Sequence, residues 1–291
     1  MSTYHYIAQR QARVPVRQLC HVLQVAPNAY YAWHRQQGRL ASEPVWQAAV
    51  HQAFAYHSQR YGTRQLRAEV QADGHAVGAS ASCSTPTGYA PSGYDSAAPL
   101  VCAPHDRFRP GRARGPNRLL GQPASIAPNQ VWVGDITYLP RQGGGWLYLG
   151  VWLDRCSRKI VGWDLRETMP EDLVSEALRR ALVVRQPSAG LFEHSDQGSQ
   201  YTATRFKDLL ARNGTVQSLS SRGNCYDNAL PDTAHAESFW SRFNNELLDG
   251  GSFPGLAEAK LEISHNVAYY NAERRHSTLG YHSPNYFETH F

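Results

Sequence analysis

Between residues 12 and 35 the apolar positions recur at helical spacing. Val16, Leu19, Cys20 and Leu23 repeat every three or four residues, the stretch from Val25 to Ala29 breaks the pattern, and Tyr30, Tyr31, Ala32 and Trp33 resume it. Two short helices around a turn are predicted, which fits a helix-turn-helix or a plain helical hairpin. Residues 44–72 continue helical, with a break at Tyr61-Gly62 and a restart for which Thr63 is the expected N-cap. Arg64, Arg67 and Gln71 fall near one face of that second helix, suited to phosphate contacts or to a solvated surface.

The period then disappears. Residues 79–114 are rich in Ala, Ser, Pro and Gly, and before His105 their only charged residue is Asp95. Neither helix nor strand is predicted there. From Ala127 the pattern becomes that of strands. NQVWVGDITYLP, WLYLGVWLD and RKIVGWDL are three apolar or alternating runs, separated by a Gly-rich turn and by Asp154-Arg155-Cys156-Ser157. EDLVSEALRRALVVRQ is an amphipathic helix with acids leading and Arg trailing, as the helix dipole prefers. A short strand (GLFEHSD), a helix (TATRFKDLLARNG) and another short strand (VQSLS) follow. Next comes a helix carrying Glu237, and then a long one from Leu256 to about Asn271. The order β-β-β-α-β-α-β-α predicts an α/β fold of the ribonuclease H-like kind, a mixed sheet flanked by helices, behind an N-terminal helical region.

Composition narrows the function. No apolar run approaches the roughly 20 residues that span a bilayer, and the N-terminus lacks a signal-peptide stretch, so a cytoplasmic protein is expected. Five cysteines without a CxxC pair support neither a disulfide framework nor a zinc site. A net charge of +5 points weakly towards a polyanionic partner.

Three carboxylates stand where a purely structural role is hard to argue. Asp135 lies mid-strand, where an acid is costly unless paired or ligating. Asp196 ends a strand, and Glu237 opens a helix. In a ribonuclease H-like sheet the first and fourth strands are neighbours, so Asp135 and Asp196 converge, and a helix packed beside them brings in Glu237. Clustered hard oxygen ligands suit magnesium, and two such ions suit an in-line displacement at phosphorus. His194, beside Asp196, is expected to serve as a hydrogen-bonding scaffold, and Asp154 to pair with Arg155 or Arg158.

The motifs WVGDITYL, YLGVWLDRCSRKIVGW, HSDQGSQY, SSRGNCYDNA, AESFW and YYNAERRHSTLGYHSP cover most of residues 127–291. Together they resemble the second-reading-frame transposases of the insertion-sequence-three family, relatives of retroviral integrases. YGTRQLRAEV and the N-terminal helices resemble the front end of the same family. The resemblance implies a polynucleotidyl transferase whose Asp-Asp-Glu triad is Asp135, Asp196 and Glu237, holding two magnesium ions that manganese can replace. It implies metal-dependent cleavage and strand transfer on DNA, a first-reading-frame helix-turn-helix partner, and homo-oligomers assembled on DNA. Three regions are then expected: a helical DNA-binding region 1–78, an irregular linker 79–125, and an integrase-type core with a helical tail, 126–291.

Departures from the family pattern are also legible. Members leave 35 residues between the second Asp and the Glu, whereas here 237 − 196 = 41 leaves 40. Removing Leu230 to Ala234 restores 35, so a five-residue insertion precedes the catalytic helix. Asn244 stands where the family carries Lys or Arg for DNA contact, and residues 79–114 read as out-of-frame translation or as a true linker. DNA contacts are expected from Arg64, Arg67, Arg222, Asn244, Arg274 and Arg275. The rival reading is a decayed transposase that only binds DNA.

Overall fold

The computed structural model describes residues 3–40, 45–78, 115–170, 172–220 and 251–291. The chain divides into two compact units, Met1–Tyr94 and Asp95–Phe291. Among the described residues the first holds five helices: α1 (Thr3–Arg10), α2 (Val16–Val22), α3 (Pro27–Leu40), α4 (Val45–Tyr56) and α5 (Thr63–Ala72). Helices α1 to α3 close over buried Ile7, Cys20 and Tyr30, while α4 and α5 pack through Val50, Ala53, Leu66 and Val70. Helix α5 starts one residue earlier in its capping than the sequence suggests. Gly62 is the N-cap, and its N–H donates to Gln65 Oε1 at 3.3 Å. Thr63 is already the first residue inside the helix, and the Gln65 side chain reaches back to satisfy the N–H of the cap residue.

The second unit is built on five strands: β1 (Val131–Pro140), β2 (Trp146–Asp154), β3 (Ile160–Arg166), β4 (Phe192–Ser195) and β5 (Val216–Leu219), in the order β3-β2-β1-β4-β5. β1 to β3 form an antiparallel meander, and Gly143, Gly144 and Gly145 supply the positive φ that the β1–β2 turn needs. β4 and β5 join in parallel on the other side of β1. This is the ribonuclease H-like arrangement that the element order implies. It runs with α6 (Asp172–Arg185), α7 (Ser199–Thr202), α8 (Thr204–Arg212), α9 (Leu256–Ala272) and α10 (Pro284–Thr289). Among the described residues no helix is long and apolar enough to cross a membrane.

Each sheet face buries a helical stripe. α6 presents Val174, Ala177, Leu178, Ala181 and Leu182, spaced to stay on one side, against Trp132 and Trp152. On the opposite face, Ala259, Ile263, Val267 and Tyr270 of α9 cover Leu139, Leu149, Val151 and Leu165. Each large side chain so buried stabilises the fold by about 1.5–3 kcal/mol. Polar contacts fix the far end. Arg185 grips Glu288 with two 2.7 Å bonds, while Lys159 and Ser157 donate to the same carboxylate at 2.9 and 2.8 Å. That ties α10 to the end of α6 and the β2–β3 turn. Asp154, which the sequence pairs with a neighbouring Arg, is held by N–H groups: Asn129 at 2.6 Å, Cys156 at 2.9 Å, Ser157 at 3.0 Å and the Trp132 indole at 3.2 Å.

Candidate active site

Alternation along β1 sends Trp132 and Ile136 to the α6 side of the sheet and Leu139 to the α9 side. Asp135 shares the side of Leu139, half-buried, with its Oδ1 accepting from Ile136 N at 2.8 Å. β1 and β4 pair in parallel with a constant offset of 61: Val131 with Phe192, Trp132 with Glu193, Val133 with His194. Carried two residues further, the offset sets Asp196 beside Asp135 (135 + 61 = 196). Asp196 is exposed just past the end of β4, and its Oδ1 accepts from Gly198 N at 2.9 Å, which turns the chain into α7. The turn is braced by Ser220 N on Ser195 O at 3.0 Å and by Gln197 Nε2 on Ser220 O at 2.6 Å.

The scaffold beneath is polar and closed. His194 is buried with Nδ1 3.0 Å from Ser218 Oγ, and Ser218 Oγ in turn accepts from Arg118 N at 2.9 Å. Two side chains that the sequence reading passed over complete the floor. Glu193 on β4 is wholly buried on the α6 side, and burial pushes its pKa up to about 8; the nearby Ser195 and Gln217 temper that rise although neither bonds it with good geometry, and the charge of Asp196 adds to it. Tyr201 on α7 is buried edge-on against Trp152 and Phe206, with centroids 6.0 and 5.7 Å away, and its hydroxyl has no hydrogen-bond partner among the described residues. Burial first, then the charges of Asp135, Asp196 and Glu193, hold that phenol well above its ordinary pKa. One buried hydroxyl therefore feels all three carboxylates. The signal that could have found the pair is an acid inside the apolar run Leu191-Phe192-Glu193 and an aromatic five residues after Asp196.

The remaining residues named from the sequence fall in different places. Glu237, Arg222, Asn244, the segment Leu230 to Ala234 and residues 79–114 lie outside the described residues. Among the described residues, accordingly, no group of three metal-type ligands converges. Arg64 is exposed on α5, whereas Arg67 is half-buried with its Nε enclosed and without a hydrogen bond. Arg274, expected from the sequence to contact DNA, is 5% exposed, with its guanidinium 5.9 Å over the Tyr270 ring. Arg275 is half-buried and donates to Tyr281 O at 3.1 Å.

Comparison with known proteins follows the same outline. Residues 126–225 match the family described as "Integrase core domain", and residues 213–284 match a second family of that description. The chain is 31% identical over 290 residues to "Transposase InsF for insertion sequence IS3A" of Escherichia coli K12, covering 98% of both chains. It is 35% identical over 275 residues to "Insertion element IS600 uncharacterized 31 kDa protein" of Shigella sonnei, covering 91% of this chain and 96% of that one. It is also 44% identical over 165 residues to "Transposase for insertion sequence element IS904" of Lactococcus lactis, covering 56% of this chain and 63% of that protein's length. Among solved structures, the HTLV-2 integrase catalytic core domain in complex with magnesium aligns at 16% identity and a TM-score of 0.41, over 56% of this chain and 98% of that one.

Proposed function

Since the chain belongs to the integrase-core transposases of IS3-type insertion sequences, we propose that it frees the 3′ ends of its element and joins them to target DNA. What supports this reading is the parallel register of β1 and β4, paired as far as Val133 and His194, which carried two residues further sets Asp196, just past the end of β4, beside Asp135. Two carboxylates so placed repel one another, and a divalent cation between them relieves the repulsion. The donor set fits such an ion: hard oxygens, one half-buried and one open to solvent, leave room for retained waters and phosphate.

In this reading Asp135 and Asp196 would hold two magnesium ions, or manganese in their place, and Glu237 would complete one site. Bound there, the metal supplies a neutralising charge for the in-line displacement at phosphorus. The protein's own part is positional. Ile136 N and Gly198 N fix the two carboxylates, and the Tyr201–Trp152–Phe206 cluster gives α7 a rigid floor. No covalent protein intermediate is required, because the freed 3′-hydroxyl is itself the second nucleophile.

The regional assignment belongs to the same proposal. Residues 1–78 grip DNA, 79–125 connect, and 126–291 carry the chemistry. Arg64, Arg67, Arg222 and Arg275 serve as phosphate contacts, with Asn244 a weakened one. The first-reading-frame helix-turn-helix product and further copies of this chain would assemble with it on the element ends. The 40 residues between Asp196 and Glu237 favour one rival, a decayed copy that binds DNA without cutting it.

The test is strand transfer on labelled duplexes carrying the element's ends, with and without magnesium. Active protein yields magnesium-dependent 3′ ends and joined products. Asp135→Ala, Asp196→Ala and Glu237→Ala each abolish both while DNA binding persists. Near-normal cleavage by any one variant removes that residue from the triad. Tight binding by the wild-type chain with no magnesium-dependent product would establish the decayed reading.

A further inference from the structure

Asp196 stands on a turn that hangs from one short strand. β5 has four residues, ends the sheet and, among the described strands, pairs with β4 alone. Three contacts run from its end to the turn. Ser220 N donates to Ser195 O at 3.0 Å, Gln197 Nε2 donates to Ser220 O at 2.6 Å, and Ser218 Oγ lies 3.0 Å from His194 Nδ1. A shift of β5 is therefore a shift of Asp196, and an edge strand this short holds its place only as firmly as its neighbours do.

β5 is also held on its outer edge. Successive N–H groups of a strand point to opposite sides, so Ser220 N faces β4 while Leu219 N faces away and donates to Pro116 O at 3.2 Å. Two residues on, Arg118 N donates to Ser218 Oγ at 2.9 Å. Asn117 Oδ1 accepts from Leu119 N at 3.1 Å and from Leu120 N at 3.2 Å, a turn closed by its own side chain. Leu119, 3% exposed, anchors the stretch, and Gly115 packs so near Leu219 that a Cβ there would lie 3.3 Å from Cδ1. Residues 115–119 thus run as a strap along β5, ahead of residue 126, where the match to the integrase core begins.

Ser218 is the junction between strap and turn. Its oxygen accepts from Arg118 N, which leaves the hydroxyl hydrogen to donate to His194 Nδ1 and keeps the ring hydrogen on Nε2. Ser218 is fully buried and His194 nearly so, so water does not stand in for either bond.

We propose that residues 115–119 are a positioning strap for the metal site: seated on β5, they fix Asp196 through Ser218 and His194. The inference rests on the proposed role of Asp196 as a metal ligand, and it adds positioning residues rather than ligands.

The experiment uses the full chain and manganese as the probe, read by loss of the free-ion EPR signal. Partners that hold a metal ligand in place typically carry about 10–100-fold in metal affinity. Ser218→Ala cuts the junction and Leu119→Ala unseats the strap. Each should bind manganese at least about tenfold more weakly, and should cleave duplex with a lowered kcat at an unchanged KM for DNA. The double variant should be no weaker than the weaker single one, because both substitutions break one chain of contacts. Ile263→Ala, in the core cluster that does not include β5, should lower the melting temperature and keep wild-type manganese affinity. Wild-type affinity in Ser218→Ala or in Leu119→Ala would overturn the strap, as would losses that multiply in the double variant or an equal loss in Ile263→Ala. Manganese binding that depends on Ser218 and Leu119 in a chain that never cuts DNA would sink the proposed chemistry and support the strap. Cutting that survives both substitutions undiminished would do the reverse.

Discussion

Gly134 lies directly across from Trp152 in the β1–β2 ladder, and the indole folds over the space where a side chain would be. A Cβ placed on Gly134 would sit 2.4 Å from Trp152 Cη2 and Cζ3 and 2.8 Å from Cε3. Gly134→Ala therefore forces either the strand or the indole to move. If the indole moves, it leaves its 3.1 Å bond to Val174 O and its stacking on Phe206, whose ring centroid is 6.2 Å away. Overpacking of this kind costs about 1–3 kcal/mol, and a lost hydrogen bond falls within that range. At about 2–4 °C per kcal/mol for a domain of this size, the melting temperature should fall by roughly 2–12 °C. If the strand moves instead, Asp135 moves with it, and a displacement near 1 Å costs on the order of a hundredfold in cleavage rate. Thermal melting and magnesium-dependent cleavage, read together, tell the two responses apart. Trp152→Phe removes the outer ring of the indole, so the double variant should be more stable than the sum of the single effects by about 1 kcal/mol. A melting temperature within 1 °C of wild type for Gly134→Ala, or strict additivity in the cycle, would refute the contact as the reason for the glycine.

Glu193 is neutral in the folded chain and ionised in the unfolded one between its ordinary pKa of 4.5 and about 8. Stability should therefore fall as pH rises through that window, by at most about 1.4 kcal/mol per unit, and Glu193→Gln should flatten the decline in urea melts at pH 5, 6, 7 and 8. Glu288 has the opposite sign. Burial opposes its charge, but bonds from Arg185, Lys159 and Ser157 outweigh burial and lower its pKa, so its contribution is present above pH 4.5 and lost below. Glu288→Gln should cost about 2 kcal/mol at pH 7 and little below pH 4, measured by the same melts. Deleting Leu230 to Ala234 should raise magnesium-dependent cleavage at least about tenfold, a change of roughly 1.4 kcal/mol in barrier, with DNA binding unchanged. Unaltered cleavage would mean that Glu237 is already in place.

Much of this protein could be read from neighbouring letters. The period-2 runs around Asp135, the helical stripe of α6 and a break after Leu23 depend only on how apolar residues are spaced along the chain, although α3 begins at Pro27, inside the stretch from Val25 to Ala29 that the spacing reads as the break. That β1, which carries Asp135, lies beside β4, which leads to Asp196, followed from element order, because that order implies which strands are neighbours. What spacing could not carry is burial by residues distant in sequence. Glu193 looks like a surface acid until α7 and β5 close over it, and Tyr201 looks like an ordinary helical aromatic until the field of three carboxylates falls on its hydroxyl. Arg274 reads as a DNA contact in a run of basic residues, yet packing on Tyr270 of α9 buries it. A charge's cost depends on everything within about 10 Å of it in space, and only the folded chain decides which residues those are.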